Sequence, residues 1–395
     1  MSSGDFENFS VLHRDMSQPA VLVLGGSKFM GRALVEELLK ERARVCIVNR
    51  GREYWGTADP ASGRTAHVSA DREKVDVFAE RLKEATQRLG GDWDMVVDFS
   101  AFDGADMRAS LAGLGSSFKL YVYISSDSVY EVSDWAAEKW LPRKGMGEDI
   151  RVAEDAAVRP SDQTKADALN KKDDYGHEKL QGEEVLLKEI PPQCRCVSLR
   201  LPDVIGPFDG THRLFAYWHW LHAGEEGAPA PQIQSYKPTA PGQVPSNPSL
   251  SLVYSRDVAR FIVKLLKSPA PRNAPRCDAV NLCCAEQVPL ADLLIRLAIA
   301  SGMPRKRPRF APNKDPKTYL PSVDRPWPLS LDYAYSVYNF KPTPLDEVLE
   351  NCATFFKEGC KQFPGEATKA AKKLPEDPAD IALKLAGLDR LTEAS

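Results

Sequence analysis

An α/β fold built on a doubly wound parallel sheet is predicted by two observations. Short apolar runs alternate with helical periodicity over the first half of the chain, and the first such run passes through a glycine-rich turn straight into a helix. Ala20–Leu24 is the first run, Phe29 to Glu41 carries the helical period, and Arg44–Val48 is the second run, which makes a strand–helix–strand unit. The rhythm continues through His67–Val68, a charged helix from Val75 to Leu89, Met95–Phe99, a short helix from Asp106 to Leu114, and Lys119–Ile124. Five strands with helices between them imply parallel order, because each return crosses over outside the sheet. Glu131 to Asp174 breaks the rhythm, with many charges, Trp135, Trp140 and no sustained period, and reads as an insertion loop. A helix then starts near Tyr175, and Cys196–Arg200 supplies a sixth strand. From Ser251 short strands (Leu252–Tyr254, Ala279–Leu282) mix with helices (Asp257 to Leu266, Leu290 to Ala300), as in a smaller C-terminal α/β domain. Ala228 to Pro248, rich in Pro, Gln and Ser, suits a loop or lid over a site.

The expected organisation is a flexible N-terminal arm (1–18), a sheet domain (19–207, with the insertion at 131–174), a mixed substrate-binding region (208–363) and a solvated tail (364–395) that is partly helical at Ile381 to Leu388. The chain has 395 residues, with 52 Lys and Arg against 55 Asp and Glu, a formal charge of −3, 43% hydrophobic and 27% charged residues. That composition excludes wholesale disorder, collagen and coiled coil, and argues against non-specific phosphate binding as the main activity. No apolar run approaches the ~20 residues of a membrane helix, and the first eighteen residues lack a basic flank and an apolar core. A soluble, cytoplasmic protein without a membrane partner is expected. The eight cysteines contain no CxxC, so they read as reduced, mostly buried thiols. His212, His219 and His222 invite a metal only superficially, since no Glu or Cys completes a set, and none is expected. Arg305–Arg307 with Arg309 reads as a solvated basic loop, an anionic partner being the minority alternative.

The first strand ends in Gly25-Gly26-Ser27-Lys28-Phe29-Met30-Gly31 and opens into a helix. A dinucleotide pyrophosphate belongs there, on the unpaired N–H groups and positive dipole end of the helix, although a tight turn without a ligand has the same appearance. The second strand ends in Asn49-Arg50-Gly51-Arg52, where an acidic residue would bind the adenosine ribose. Arginine can fork onto a 2′-phosphate instead, and Lys28 could reach the same group, so NADP(H) is favoured and NAD(H) remains possible. The alternative is that Arg50 and Arg52 are solvated loop charges. Asp71, beyond the third strand, could accept from the adenine amino group or cap the following helix.

Tyr175 and Lys179 stand at i, i+4 and share a helix face. An ordinary tyrosine titrates near ~10, and a neighbouring ammonium favours its phenolate, which suits it to acid/base work at a carbinol or carbonyl. An exposed helix face produces the same spacing by chance, so context decides. That context is Tyr123-Ile-Ser-Ser-Asp-Ser-Val-Tyr130 at the carboxyl end of the fifth strand. Here the sequence resembles the extended and atypical short-chain dehydrogenase/reductase (SDR) superfamily of the NAD-dependent epimerase/dehydratase type, with its glycine loop, YxSSxxVY segment and YxxxK in order. Leu199–Pro207 resembles the family's RxxNVYGP, Val253–Ala259 its VHVDDVA, and a further match runs from Leu331-Asp332 to Pro344. The resemblance spans about Ala20 to Lys357 and implies a Rossmann fold with a smaller substrate-binding domain.

By motif position the resemblance implies that Ser126 orients the substrate oxygen, Tyr175 is the acid/base and Lys179 its partner, also holding the nicotinamide ribose. It implies that Phe99, Ser100 and Ala101 line the cofactor, that Leu201, Pro202 and Val204 close over the nicotinamide end, and that Asp127, Ser128 and Asp203 face the substrate. Two departures bear on that substrate. The family's middle glycine is Lys28, which looks like the GGTxFIG subgroup, and the Asp-Glu pair of sugar-nucleotide dehydratases is Asp127-Ser128, which disfavours dehydration. Asp203 stands for the family's Asn, where a carboxylate would repel a diphosphate. The resulting expectation is an NADP(H)-dependent oxidoreductase or epimerase acting on a small or sugar-like substrate, by default a homodimer. A non-catalytic nucleotide-sensing or RNA-binding protein is the alternative, since the subgroup looks similar to chloroplast stem-loop-binding proteins.

Overall fold

The computed structural model describes residues 6–13, 15–52, 55, 63–139, 151–222, 249–305, 320 and 328–372. The chain divides into two compact units, the first formed by Met1–Pro202, Ser255–Cys283 and Leu329–Lys341, the second by the remainder. The first unit opens with β1 (Phe6–Glu7), a 3-10 turn (Phe9–His13), β2 (Ala20–Leu24), α1 (Phe29–Lys40), β3 (Arg44–Asn49) and β4 (Ala66–Ser69). It continues with α2 (Val75–Leu89), β5 (Trp93–Asp98), α3 (Gly104–Leu114), β6 (Phe118–Ser126), a 3-10 turn (Asp127–Val132), α4 (Asp134–Lys139), α5 (Gln163–Lys172), α6 (Asp174–Glu189) and β7 (Arg195–Leu201). The chain then enters the second unit with β8 (Asp203–Ile205), α7 (Arg213–His222), β9 (Ser249–Leu250) and β10 (Leu252–Tyr254), and returns to the first with α8 (Ser255–Lys267) and β11 (Cys277–Asn281). It crosses once more, with β12 (Val288–Pro289) and α9 (Leu290–Ala300) in the second unit, α10 (Asp332–Tyr338) in the first, and α11 (Leu345–Gln362) and α12 (Pro364–Ala371) in the second.

The first unit holds an eight-stranded sheet in the order β1-β4-β3-β2-β5-β6-β7-β11, parallel throughout except at β1. Every residue of β2 is buried, as a strand covered by helices on both faces requires. Strand order reverses between β2 and β5, so the loops after Leu24 and Asp98 splay apart and open a crevice at their carboxyl ends.

Four segments differ from the sequence reading. Phe6–Glu7, expected in a flexible arm, pairs with Val68 and His67 at the sheet edge, with Arg88 stacked over Phe6 at 4.3 Å. The expected insertion loop contains α5, a helix with one buried residue, Ala166, and a cap from Asp162 to the Lys165 N–H. β11 and α8, expected in a C-terminal domain, belong to the first unit: β11 is parallel to β7, and α8 packs on α1 with Lys267 bonded to Glu41 at 2.5 Å. Local periodicity says that a strand exists but not which sheet receives it. Residues 364–371, expected in a solvated tail, form α12, which buries Ala367, Ala370 and Ala371 and pairs Glu366 with His212 at 2.7 Å. Trp140, the lid from Ala228 to Pro248, the basic run beyond Arg305 and the helix from Ile381 to Leu388 lie outside the described residues.

In the second unit β8 runs parallel to β10, β9 runs antiparallel to β12, and the aromatic helix α7 stacks Phe215 on Phe356 at 4.6 Å. Among the described residues no helix is long and apolar enough to cross a membrane.

Candidate nucleotide and proton-transfer site

The glycine loop owes its shape to contacts that only glycine tolerates. Gly25 and Gly26 have φ of +110° and +93°, and a Cβ on Gly31 would lie 2.6 Å from the Gly26 Cα. Phe29 itself sits in the left-handed region at φ +48°, an unusual conformation for a bulky residue. Asn49, at the end of β3, ties the loop down by donating to the Gly25 carbonyl at 3.0 Å and the Ser27 hydroxyl at 2.5 Å. No side chain caps α1, so its first-turn N–H groups remain available to an anion.

This loop forms one wall of a cavity of about 480 Å3. Gly25, Gly26, Ser27, Lys28, Phe29, Met30, Gly31, Asn49, Arg50, Arg52, Asp71, Phe99 and Ser100 all line it, so the residues expected at the phosphate and ribose ends do come together. Asp71 is not the cap of α2: its carboxylate accepts from the Glu73 N–H at 3.3 Å and faces Arg50 at 4.0 Å. Arg50 also lies 3.6 Å from Glu73.

The sequence reading missed Arg72 and Asp98. Arg72 lines the cavity, lies over the Phe78 ring at 4.4 Å and donates to Asp98 at 2.7 Å, Ser110 at 3.0 Å and Ser100 at 3.1 Å. Asp98 is fully buried and also accepts from Tyr121 at 2.7 Å and from the Ser100 and Ala101 N–H groups at 2.8 and 2.9 Å. Burial alone would raise its pKa, but Arg72 and these donors together hold it below the ordinary value. An aspartate ending the apolar run Met95–Val97 was the available signal, because a carboxylate there needs a cation.

Phe102 links the cavity to the tyrosine helix. It lines the cavity and meets Tyr175 edge-on, with ring centroids 6.5 Å apart. Tyr175 occupies the first turn of α6, where Asp173 caps the Gly176 N–H at 3.0 Å. Gly176, also missed, sets the approach of this helix: a Cβ there would lie 2.3 Å from the Ser128 carbonyl oxygen. Lys179 is buried at 5% exposure, donates to the carbonyls of Ala101 at 2.7 Å and Ile124 at 3.0 Å, and stands 5.8 Å from the Tyr175 ring centre. Burial pushes its pKa down to about 8, against the pull of Asp98. Ser126 is buried at the end of β6, its hydroxyl accepting from the Ser128 N–H and lying 3.2 Å from the Ser128 hydroxyl and 3.3 Å from the Asp127 carboxylate.

One turn beyond Lys179, Glu183 fastens the helix to the sheet. It accepts from Ser125 at 2.6 Å and from two nitrogens of Arg200, the closest contact being 2.7 Å, while Arg200 donates onward to Tyr130 at 3.2 Å. Pro202 closes the first unit's β7 segment, whereas Asp203 and Val204 belong to β8 of the second. Asp203 is buried and bonded to Arg213 at 2.9 Å, so the carboxylate expected to repel a diphosphate carries a cationic partner.

The model of the NAD dependent epimerase/dehydratase family matches residues 21–283, more than half of the chain. The chain belongs to that family. The family's description names epimerases and dehydratases that depend on NAD. Among solved structures it is similar to dTDP-glucose 4,6-dehydratase of Bacillus anthracis str. Ames in complex with NAD (TM-score 0.59, 12% identity, 88% of this chain and 99% of that one). It is likewise similar to UDP-glucose 4-epimerase of Thermotoga maritima with UDP-glucose (TM-score 0.56, 16% identity, 86% and 99% covered). At those identities the likeness concerns the fold. One stretch of 127 residues is 27% identical to the chloroplast stem-loop binding protein of 41 kDa b of Arabidopsis thaliana, covering 30% of this chain and 32% of that protein. The match thus spans about a third of the length of this curated relative.

Proposed function

We propose that this family member is an NADP(H)-dependent oxidoreductase or epimerase, in which hydride transfer at a carbinol or carbonyl carbon is coupled to proton transfer by Tyr175. The observation that carries the reading is the ammonium of Lys179, buried 5.8 Å from the Tyr175 ring and held by the Ala101 carbonyl beside the cavity-lining Phe102. A cation kept there by carbonyl acceptors favours the phenolate of its neighbour, as a proton-transferring tyrosine requires.

The residues present fit a dinucleotide, since the glycine loop and the uncapped start of α1 line one cavity together with Arg50 and Arg52. The first-turn amides of α1 would hold the pyrophosphate, while Arg50, Arg52 and Lys28 would take the 2′-phosphate. The chemistry that a bound nicotinamide would supply there is hydride transfer. Tyr175 moves the proton at the substrate oxygen, Ser126 orients that oxygen, and Asp127 and Ser128 face a small or sugar-like substrate. Asp127-Ser128 lacks a second carboxyl group, which favours redox or epimerase chemistry over dehydration.

Calorimetric titration with NADPH and NADH tests the cofactor end. NADPH is expected to bind about tenfold or more tightly than NADH, and Arg50→Ala to remove most of that preference, a difference of roughly 1.4 kcal/mol or more. Equal affinities would overturn the NADP(H) assignment, and no binding of either nucleotide would overturn the enzyme reading. Tyr175→Phe is expected to retain nucleotide and lose NADPH-linked turnover in a screen of carbonyl and hydroxyl substrates.

RNA binding is a second reading, favoured by the local similarity to the chloroplast stem-loop binding protein. A gel-shift titration with stem-loop RNA separates the two, because a binding protein retains its RNA after Tyr175→Phe.

A further inference from the structure

Cys196 and Cys277 face each other across the far edge of the first unit's sheet. Cys196 is the second residue of β7, Cys277 opens the edge strand β11, and the two are direct partners in the parallel register. Paired strands lie ~4.7–4.9 Å apart, inside the ~4.4–6.8 Å Cα separation that a disulfide spans. Directly opposed residues project from the same face, and both thiols are free. Their environments differ: Cys196 is buried at 2% exposure, whereas Cys277 is partly exposed on a strand that, among the described residues, is the edge of its sheet. The hydrogen bond from Cys196, assisted by the charge of Arg276, pulls the Cys277 thiol down to about 7, and the same bond raises Cys196. A partly exposed thiol of lowered pKa beside a buried thiol is the arrangement of an attacking and a resolving cysteine.

We propose that Cys277 and Cys196 form a redox-active dithiol, a modification site that small-molecule disulfides oxidise to an intramolecular disulfide. The Cys277 thiolate attacks one sulfur of glutathione disulfide, forming a mixed disulfide and releasing one glutathione thiolate, which takes up a proton. Cys196 then loses its proton and attacks the Cys277 sulfur, breaking the mixed disulfide and releasing the second glutathione. The dithiol is thereby oxidised by two electrons, and one glutathione disulfide is reduced to two thiols. The pair sits at the amino-terminal ends of its strands, while Asn49 ends β3 and the glycine loop follows β2, so oxidation is expected to leave the cavity at the carboxyl ends intact. The bond would also close a covalent loop containing the Asp203–Tyr254 segment, which restricts the unfolded chain.

The test is incubation of the reduced full-length protein with glutathione disulfide, alkylation under denaturing conditions and mass spectrometry of tryptic peptides. The expected product is lighter by two hydrogens, two of the eight cysteines escape alkylation, and peptide Cys196–Arg200 is joined to peptide Cys277–Arg296. Fragment ions must place the bond at Cys277 rather than at Cys283 or Cys284. Cys196→Ser should instead retain one glutathione on Cys277. Complete alkylation of the wild-type protein, a lasting glutathione adduct on wild-type Cys277, or a disulfide joining any other pair would overturn the proposal. Nucleotide affinity before and after oxidation provides an independent readout and is expected to change less than twofold.

Discussion

The two cationic regions at this site are built in opposite ways. Beside the glycine loop Arg50 is 39% exposed and faces Asp71 and Glu73 at 4.0 and 3.6 Å, distances too long for strong hydrogen bonds. By contrast Lys179, on the tyrosine helix, and Arg200, on β7, are each 5% exposed and held by acceptors at 2.6–3.3 Å. Loose, solvated pairs leave a guanidinium ready to exchange its partner for a phosphate. Tight, buried ones fix geometry before any ligand arrives, and their loss is correspondingly costly.

The largest effect is therefore expected from Glu183→Ala. The variant would leave the Arg200 guanidinium buried without its carboxylate, for which about 3–5 kcal/mol of stability is the usual loss. Urea denaturation at neutral pH measures it, and a loss below about 1 kcal/mol would remove the contrast between the two regions. Replacing both partners, as Glu183→Leu with Arg200→Met, should recover most of the stability, because no uncompensated charge remains.

The solvated region was far more legible in the sequence than the buried one. Gly25, Gly26, Gly31, Arg50 and Arg52 lie within a short stretch at the end of two apolar runs, so their placement follows from chain order alone. Glu183 and Arg200 are 17 residues apart on a helix and a strand, and nothing local announces that they meet. Arg72 and Asp98 pose the same difficulty. The short elements escaped for other reasons: Phe6–Glu7 is too brief to show a period, and α5 buries too little to display an apolar stripe. Tyr175 and Lys179 were legible as a pair, but the close approach set by Gly176 depends on tertiary contact with Ser128.

An intermediate effect follows from the lysine. Its pKa falls from an ordinary 10.5 to about 8 on folding, so between those values the unfolded chain binds the extra proton. This group therefore raises stability as pH rises through that window, on the order of 3 kcal/mol at most. Denaturation curves at pH 7.5 and 10 should show a smaller gain, or a larger loss, in Lys179→Met than in wild type. In the proposed mechanism this ammonium favours the Tyr175 phenolate, and it disappears over the same range. Turnover should therefore decline above about pH 8, and the Lys179→Arg variant, whose guanidinium stays charged, should move that limb to higher pH.

The smallest effect belongs to Glu73→Gln. Glu73 is 83% exposed, so its pair with Arg50 contributes at most about 1 kcal/mol and the variant should melt within about 2 °C of wild type. Removing this carboxylate frees the guanidinium from one competitor and lowers the negative charge beside the cavity. NADPH affinity should then rise less than about tenfold while NADH affinity changes less, because in the proposed function only the 2′-phosphate engages Arg50. A rise shared equally by both nucleotides would instead mean that Glu73 acts through the general field of the cavity. Arg50 would then have no particular claim on the phosphate.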